Sequence, residues 1–478
     1  MSMMLPGNIK SRLSVFLLLL CGLAASGQTV VTEKEAVAVS SNFMQHFFRE
    51  KSFQAVEVTQ VRCLERNGHP LLYEVCYRNG CSALVAGVKS VMPVLACRTE
   101  GGSDSFLQNS GENGLSYFVE KFASKMESLI ENHFDTIDDQ WKTLLDGDMP
   151  ALRGREVYGP YITTRWKQTS SNDGQPDAYN YYVSKKCDRE NRCAAGCVPV
   201  AMAQIMNYWQ HPANRPNKKE KYDWSNMPDE LRLYRLNGSQ TDTNFNYGTE
   251  RNAIARLLAD CGSAASVVYC ISECQSFAWP QDARYALVSK FGYRPEARLV
   301  KRALNESEWK SVIISNIMEG KPVFYAAVDE MMKLEGHAFV CDGYDTETEL
   351  FHFNWGWGGA GAWVTLDEIS SGADEWNNLE RAVVDIVPDG KQGSPVLASS
   401  VGVLKVWPNP VSGRLHIEMP EEEGLVQVIV RDLLGRTVLQ NENLSGQELE
   451  VSSLPAGMYL LRLRTNEGKI LIAKFVKE

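Results

Sequence analysis

Apolar residues recur at helical spacing through residues 33–48. They do so again through 114–134, where Phe118, Phe122, Met126 and Ile130 follow every fourth position. Each stretch predicts an amphipathic helix with one buried face. Between them the period changes: residues 71–77 and 81–87 are short β-prone runs flanking Arg78-Asn79-Gly80, which predicts a hairpin. Residues 135–158 are polar, with Gly, Pro and arginines, and predict an exposed connector in which Arg153 and Arg155 are candidate cleavage points. Further on, Val198, Met202, Ile205 and Trp209 mark an apolar helix beginning at or beside Cys197, and a second helix centres on residues 253–259. Residues 322–386 are rich in β-formers, so the middle of the chain mixes helix and strand in the α+β manner. After a Gly/Ser/Pro-containing linker at 389–400, residues 401–478 alternate turns with strands near 415–418, 426–432, 448–451, 458–464 and 469–476. That regularity predicts a small all-β sandwich.

The first residues have a different pattern. Lys10 and Arg12 precede an uncharged apolar run at 15–25, and Ala25-Ser26-Gly27 supplies small residues before Gln28. This is the layout of a secretory signal over residues 1–27, too short in its apolar part to span a bilayer. Cys21 suggests a lipid anchor, but Leu20 stands where lipoprotein processing requires a small residue. The chain has 478 residues, and its 49 Lys+Arg against 59 Asp+Glu give a net charge of −10. The length predicts about three domains. An acidic balance without basic runs excludes a phosphate-neutralising surface, so no nucleic acid is expected as partner. Of the 12 cysteines, Cys21 leaves with the signal, and the odd remainder predicts one thiol set apart from any pairs.

Cys197 is the candidate for that thiol. Gly196 precedes it and Pro199 follows within the first helical turn, where proline loses no hydrogen bond. A cysteine at a helix N-terminus faces unpaired N–H groups and the positive end of the dipole, which favour thiolate and can cradle an oxyanion. The plain alternative is a buried or disulfide-bonded cysteine, so a base is needed. His211 ends the same helix, about 20 Å away at ~1.5 Å per residue, and is excluded. His337 opens an extended run, residues 336–344, that turns at 345–348 and returns through 350–355. The hairpin brings His337 near Asn354, whose carboxamide can fix the imidazole tautomer, and near Trp355, which can shield that bond. His352, on the strand face of Asn354, is the rival base or a core histidine. Gly356 to Gly361 fit G-x-G-x-x-G, but a strand rather than a helix follows, so no dinucleotide site is expected. Cys187, Cys193, Cys270 and Cys274 lack the two-residue spacing of a zinc knuckle; neither a metal nor a cofactor is expected.

These residues resemble a family. Thr163 to Gln168, Gly196 to Val198 with Ala203 to Met206, Glu319 to Tyr325, Gly336 to Gly343 and Asn354 to Gly359 are ordered as in the streptopain-like cysteine peptidases. The resemblance implies a papain-like cysteine peptidase domain at 156–388, preceded by an α+β inhibitory propeptide at 28–155. Cys197 would be the nucleophile, His337 the base, Asn354 its orienting partner and Gln168 an oxyanion-hole side chain. Gly336, Trp355 and Trp357 would line or support the substrate cleft. Val406 to Pro410, Asp432 to Arg436, Leu454 to Tyr459 and the ending Lys474 to Lys477 resemble the C-terminal sorting domain of type IX secretion. That implies export through the periplasm, then release or attachment at the outer cell surface. The expected function is therefore a secreted cysteine endopeptidase made as a zymogen, whose partners are protein or peptide substrates, its own propeptide and the type IX machinery. The alternatives are a Cys-His acyl transferase and a non-catalytic surface-binding protein on a peptidase fold. Setting Cys197 aside leaves even cysteine numbers in both the first and middle segments, compatible with closed disulfide sets.

Overall fold

A computed structural model describes residues 9–11, 30–47, 57–99, 105–108, 114–132, 136–147, 155–189, 191–216, 218–233, 236–237, 240–241, 246–272, 274–302, 306–328, 336–359, 361–366, 380–390, 401–403, 405–418, 425–432, 437–441, 448–465 and 470–478. Most of the signal at 1–27 and of the linker at 389–400 lies outside the described residues.

A three-residue strand β1 (Ile9–Ser11) precedes helix α1 (Glu33–Phe47). Helix α1 begins with a reciprocal cap: the Thr32 N–H donates to the Glu35 carboxylate and the Glu35 N–H to the Thr32 hydroxyl. Strands β2 (Val58–Arg66), β3 (His69–Tyr77), β4 (Ser82–Ala86) and β5 (Val94–Arg98) follow as an antiparallel meander. The predicted hairpin is β3–β4, and Gly80, at φ 80°, makes its turn. Helix α2 (Gly114–Glu131) buries Phe118, Phe122 and Met126, the face read from the sequence.

The exposed connector is corrected. Within it lies helix α3 (Asp139–Asp146), capped by the Asp138 carboxylate accepting from Gln140 N–H and closed by Gly147 at φ 73°. Trp141 and Leu144 are buried, and the Trp141 indole donates to the Val91 carbonyl at 2.7 Å. Only three apolar residues, Trp141, Leu144 and Leu145, in eight made the pattern too short to stand out from a polar loop. Arg155 is not exposed either. Its guanidinium pairs with the buried Asp345, donates to the Phe47 carbonyl and lies over the Phe47 ring. Arg153 is outside the described residues.

Strand β6 (Val157–Tyr158) leads into the middle of the chain, where helix α4 (Cys197–Trp209) starts at the predicted cysteine. A small hairpin, β7 (Leu236–Asn237) and β8 (Gln240–Thr241), precedes helix α5 (Tyr247–Ala264). Next come β9 (Val268–Ser272), β10 (Gln275–Phe277), α6 (Pro280–Phe291), β11 (Arg298–Lys301) and α7 (Glu306–Met318). The β-rich end consists of β12 (Val323–Val328), β13 (Gly336–Asp345), β14 (Leu350–Asn354), β15 (Ala362–Thr365) and β16 (Glu380–Val384).

These strands and the N-terminal meander form one twelve-stranded sheet in the order β1-β2-β3-β4-β5-β15-β14-β13-β12-β16-β11, with β6 joined to β13. The join between the two parts is antiparallel, with Cys97 opposite Trp363 and Ala96 opposite Val364. Successive side chains on a strand point to opposite faces, and here the two faces serve two cores. Phe324, Ala326, Ala338 and Val340 meet the helices that follow Cys197. Tyr325, Phe339, Cys341 and Phe353 meet the N-terminal segment and α7.

The C-terminal unit has its own core, built on Leu415, Val428, Leu461 and Phe475 among others. Its strands are β17 (Val401–Val403), β18 (Lys405–Trp407), β19 (Arg414–Glu418), β20 (Leu425–Asp432), β21 (Thr437–Asn441), β22 (Glu448–Glu450), β23 (Gly457–Thr465) and β24 (Ile470–Lys477). They form sheets of order β17-β24-β23-β20-β21 and β18-β19-β22. The five predicted strands are present; β17, β18 and β21 were not anticipated because they are short or sparsely apolar.

Candidate active site

Helix α4 begins at Cys197 because Gly196 turns the chain at φ 99°, a conformation side chains resist. A Cβ at Gly196 would also lie against Pro199 and Ser276. The helix is buried on almost every side, so its N-terminus is held firmly. Cys197 itself is half-buried. Burial pushes its thiol above the ordinary value, while the backbone N–H groups of Ala338, Val198 and Cys197 itself act in the opposite direction. Ala338 belongs to β13 and immediately follows His337, so the strand brings a donor to the sulfur. Gln168 is buried one loop away, its carbonyl accepting from Ala195 N–H at 2.9 Å.

His337 is buried and its ring stacks between Phe339, at 5.7 Å, and Trp357, at 5.4 Å. Its Nε2 lies 2.9 Å from the Trp355 carbonyl and 2.9 Å from the Trp357 indole nitrogen. Burial holds its pKa down at about 4, against a smaller opposing effect of the Trp355 carbonyl. The imidazole is therefore neutral at pH 7.

Asn354 caps β14 on the other side of the sheet. Its amide donates to the Thr164 carbonyl at 2.7 Å, and its oxygen accepts from Gln204 at 3.2 Å and from Gly356 N–H at 3.1 Å. Among the described residues, no hydrogen bond joins the His337 ring to Asn354 or Cys197. Trp355, expected to shield an Asn–His bond, turns its ring instead to Phe118, Phe339 and Phe353; the indole over the histidine is that of Trp357. Gly336 is exposed at the start of β13, and Trp357 is 40% exposed. His352 is a core residue: its Nδ1 is 2.7 Å from Asp342, and its ring sits edge-on to Trp363.

The four cysteines weighed as a metal set are two disulfides, Cys187–Cys274 and Cys193–Cys270. Both tie the loop ahead of Cys197 to the β9–β10 hairpin, whose Ser276 hydroxyl donates to the Ala194 carbonyl. The remaining even sets do not close. Cys63, Cys76, Cys81, Cys97, Cys261 and Cys341 are free, as is Cys197. Strand register explains part of this, since Cys63 faces Tyr73 and Cys97 faces Ala83 rather than each other. The glycines of the G-x-G-x-x-G match turn the chain into β15 with Gly356, Gly358 and Gly361 at positive φ.

Two features here were not read from sequence. The Ala338 N–H at the sulfur depends on how β13 meets α4, which no local pattern encodes. Gln204 had a signal: it is the one long polar side chain on an otherwise apolar buried helix, and it is fully buried.

Comparison with known proteins agrees with this architecture. Residues 174–362 match the Peptidase C10 family, and residues 405–478 match a secretion system C-terminal sorting domain. The chain is 26% identical over 346 residues to streptopain of Streptococcus pyogenes, covering 66% of this chain and 81% of that one. It is 30% identical over 178 residues to the thiol protease/hemagglutinin PrtT of Porphyromonas gingivalis, covering 32% of this chain and 18% of that one. A prointerpain A fragment from Prevotella intermedia superposes with a TM-score of 0.52 at 22% identity, covering 70% of this chain and 99% of that one; this is a likeness of fold. The chain is thus a cysteine peptidase whose residues 174–362 are similar to the Peptidase C10 family and whose residues 405–478 are similar to a secretion system C-terminal sorting domain.

Proposed function

We propose that the protein is a secreted endopeptidase made as a latent zymogen, with residues 28–155 as prosegment, 156–388 as peptidase and 401–478 as the sorting unit left at or removed from the cell surface. What supports this chemistry is the placement of Cys197 at the first position of a buried helix, with backbone N–H groups acting on its sulfur, beside β13, the strand on which His337 precedes Ala338. In the working state His337 takes the thiol proton as sulfur attacks the scissile carbonyl carbon. The developing oxyanion is met by the Cys197 N–H and the Gln168 side chain. Collapse breaks the C–N bond, and His337 returns the proton to the leaving amine. Water then attacks the thioester, His337 taking its proton and restoring it to sulfur as the acid departs. Asn354 would hold the imidazole with its second nitrogen toward sulfur, and Gly336, Trp355 and Trp357 would border the substrate.

The described arrangement supports latency. His337 is directed to Trp355 and Trp357, and Phe118 of α2 packs on Phe339, Phe353 and Trp355, the residues that hold the 355–357 turn. The Lys121 ammonium of α2 also reaches the buried Glu380 carboxylate at 3.1 Å. The test is direct: the processed, reduced protein should clear casein and take an epoxide inhibitor at Cys197. If it does neither, the endopeptidase reading fails.

A further inference from the structure

Gln204 belongs to no substrate surface, yet it is fully buried and its side-chain hydrogen bonds go to Thr164 and Asn354. It sits two helical turns after Cys197 on α4. Its carboxamide oxygen accepts from the Thr164 hydroxyl at 3.2 Å, and its nitrogen donates to the Asn354 oxygen at 3.2 Å. The Thr164 carbonyl in turn accepts from the Asn354 amide at 2.7 Å. The three residues form a closed polar ring in an apolar surround, and each amide has only one orientation that satisfies it.

We propose that Gln204 is a positioning residue: it locks the Asn354 carboxamide to the helix that carries Cys197, with the oxygen kept on the side where an imidazole N–H must be accepted. This inference rests on the reading of Asn354 as the partner of His337. A carboxamide oxygen has two lone pairs, and in the latent state Gln204 and the Gly356 N–H occupy both. One donor must withdraw before His337 can be received. Gly356 is the one able to do so, because it lies in a glycine turn at φ 71° two residues from Asn354. Gln204 is fixed in the middle of a packed helix, so it remains. The nucleophile and the orienting oxygen are then set at one distance by a single rigid element, and only the histidine and the turn at Gly356 have to move.

The test uses the full chain matured in trans by an added protease and assayed on a fluorogenic peptide, comparing wild type, Gln204→Met, Asn354→Ala and the double variant. Gln204→Met should lower kcat about tenfold with KM changed less than twofold. It should also move the alkaline limb of the kcat profile down by about one pH unit, since a misdirected carboxamide no longer stabilises the imidazolium. On the Asn354→Ala background it should cost nothing more. Losses that multiply in the double variant overturn the proposal. So does wild-type kcat in Gln204→Met beside an impaired Asn354→Ala. An unimpaired Asn354→Ala refutes the underlying role of Asn354, and the proposal falls with it. Should Gln204→Met not fold, Thr164→Val, which removes only the hydroxyl holding the Gln204 oxygen, should shift the same limb in the same direction; an unshifted limb is then the overturning result.

Discussion

The Nε2 atom of His337 faces two neighbours that ask opposite things of it: the Trp355 carbonyl accepts a proton, whereas the Trp357 indole donates one. Only one tautomer suits each, and although the carbonyl favours a charged ring, that effect is smaller than the cost of charge in an apolar stack. The pKa of about 4 follows from that burial. In an unfolded chain the ring titrates near 6.5. The described fold therefore gains its full contribution above that value and loses it as pH falls toward 4. Melting of a Cys197→Ala chain should accordingly drop between pH 7 and pH 5, and the drop should shrink in Cys197→Ala/His337→Gln. Trp357→Phe keeps the stack but removes the indole donor, leaving Nε2–H free to serve the Trp355 carbonyl. The His337 pKa should rise, read from its ring signals by NMR. At this scale the sequence was a good guide wherever chemistry is rare. A glycine-preceded cysteine at an apolar helix start and one histidine opening a strand are legible; the partners they choose in the latent state are not. Those depend on which face of β13 each neighbour takes.

At the scale of elements, a helix with apolar anchors over four turns was legible and one of barely two turns was not, which is why α2 was anticipated and α3 was missed. Disulfide pairing lay beyond any pattern, because it depends on the approach of the 187–193 loop to a hairpin some 80 residues later. The two bridges are nested, with sequence separations of 87 and 77. Either one alone closes nearly the same loop, so closing that loop once stabilises by about 4 kcal/mol and the second bridge adds less. Removing both by Cys→Ala changes should thus lower the denaturant midpoint far more than removing either, as followed by tryptophan fluorescence without reductant. Helix α2 makes a separate prediction. Phe118→Ala should cost about 3–5 kcal/mol of packing against Phe339, Phe353 and Trp355. The full chain should then gain activity faster, measured as peptide hydrolysis with time after refolding; an unchanged lag would mean that α2 does not govern latency.

At the scale of the whole molecule, the separate β end was legible in its regular alternation of turns and strands. The C-terminal unit has a core of its own. Deleting 401–478 should therefore leave the purified peptidase active while its export fails, with the truncated chain found in the periplasmic fraction. What the sequence could not convey is that the N-terminal segment and the middle of the chain share one sheet. The β5–β15 pairing has a consequence for the life of the enzyme after maturation. If residues 28–155 leave as the proposed prosegment, β15 loses its neighbour and presents unpaired N–H and C=O groups to solvent, with Trp363 and Val364 on that border. A bare strand of this kind is a template for pairing with another chain. The prosegment would then act as a chaperone for the sheet as well as a brake on the chemistry, and its removal would leave the mature peptidase more prone to self-association than its precursor. Light scattering of matched samples before and after processing would show it.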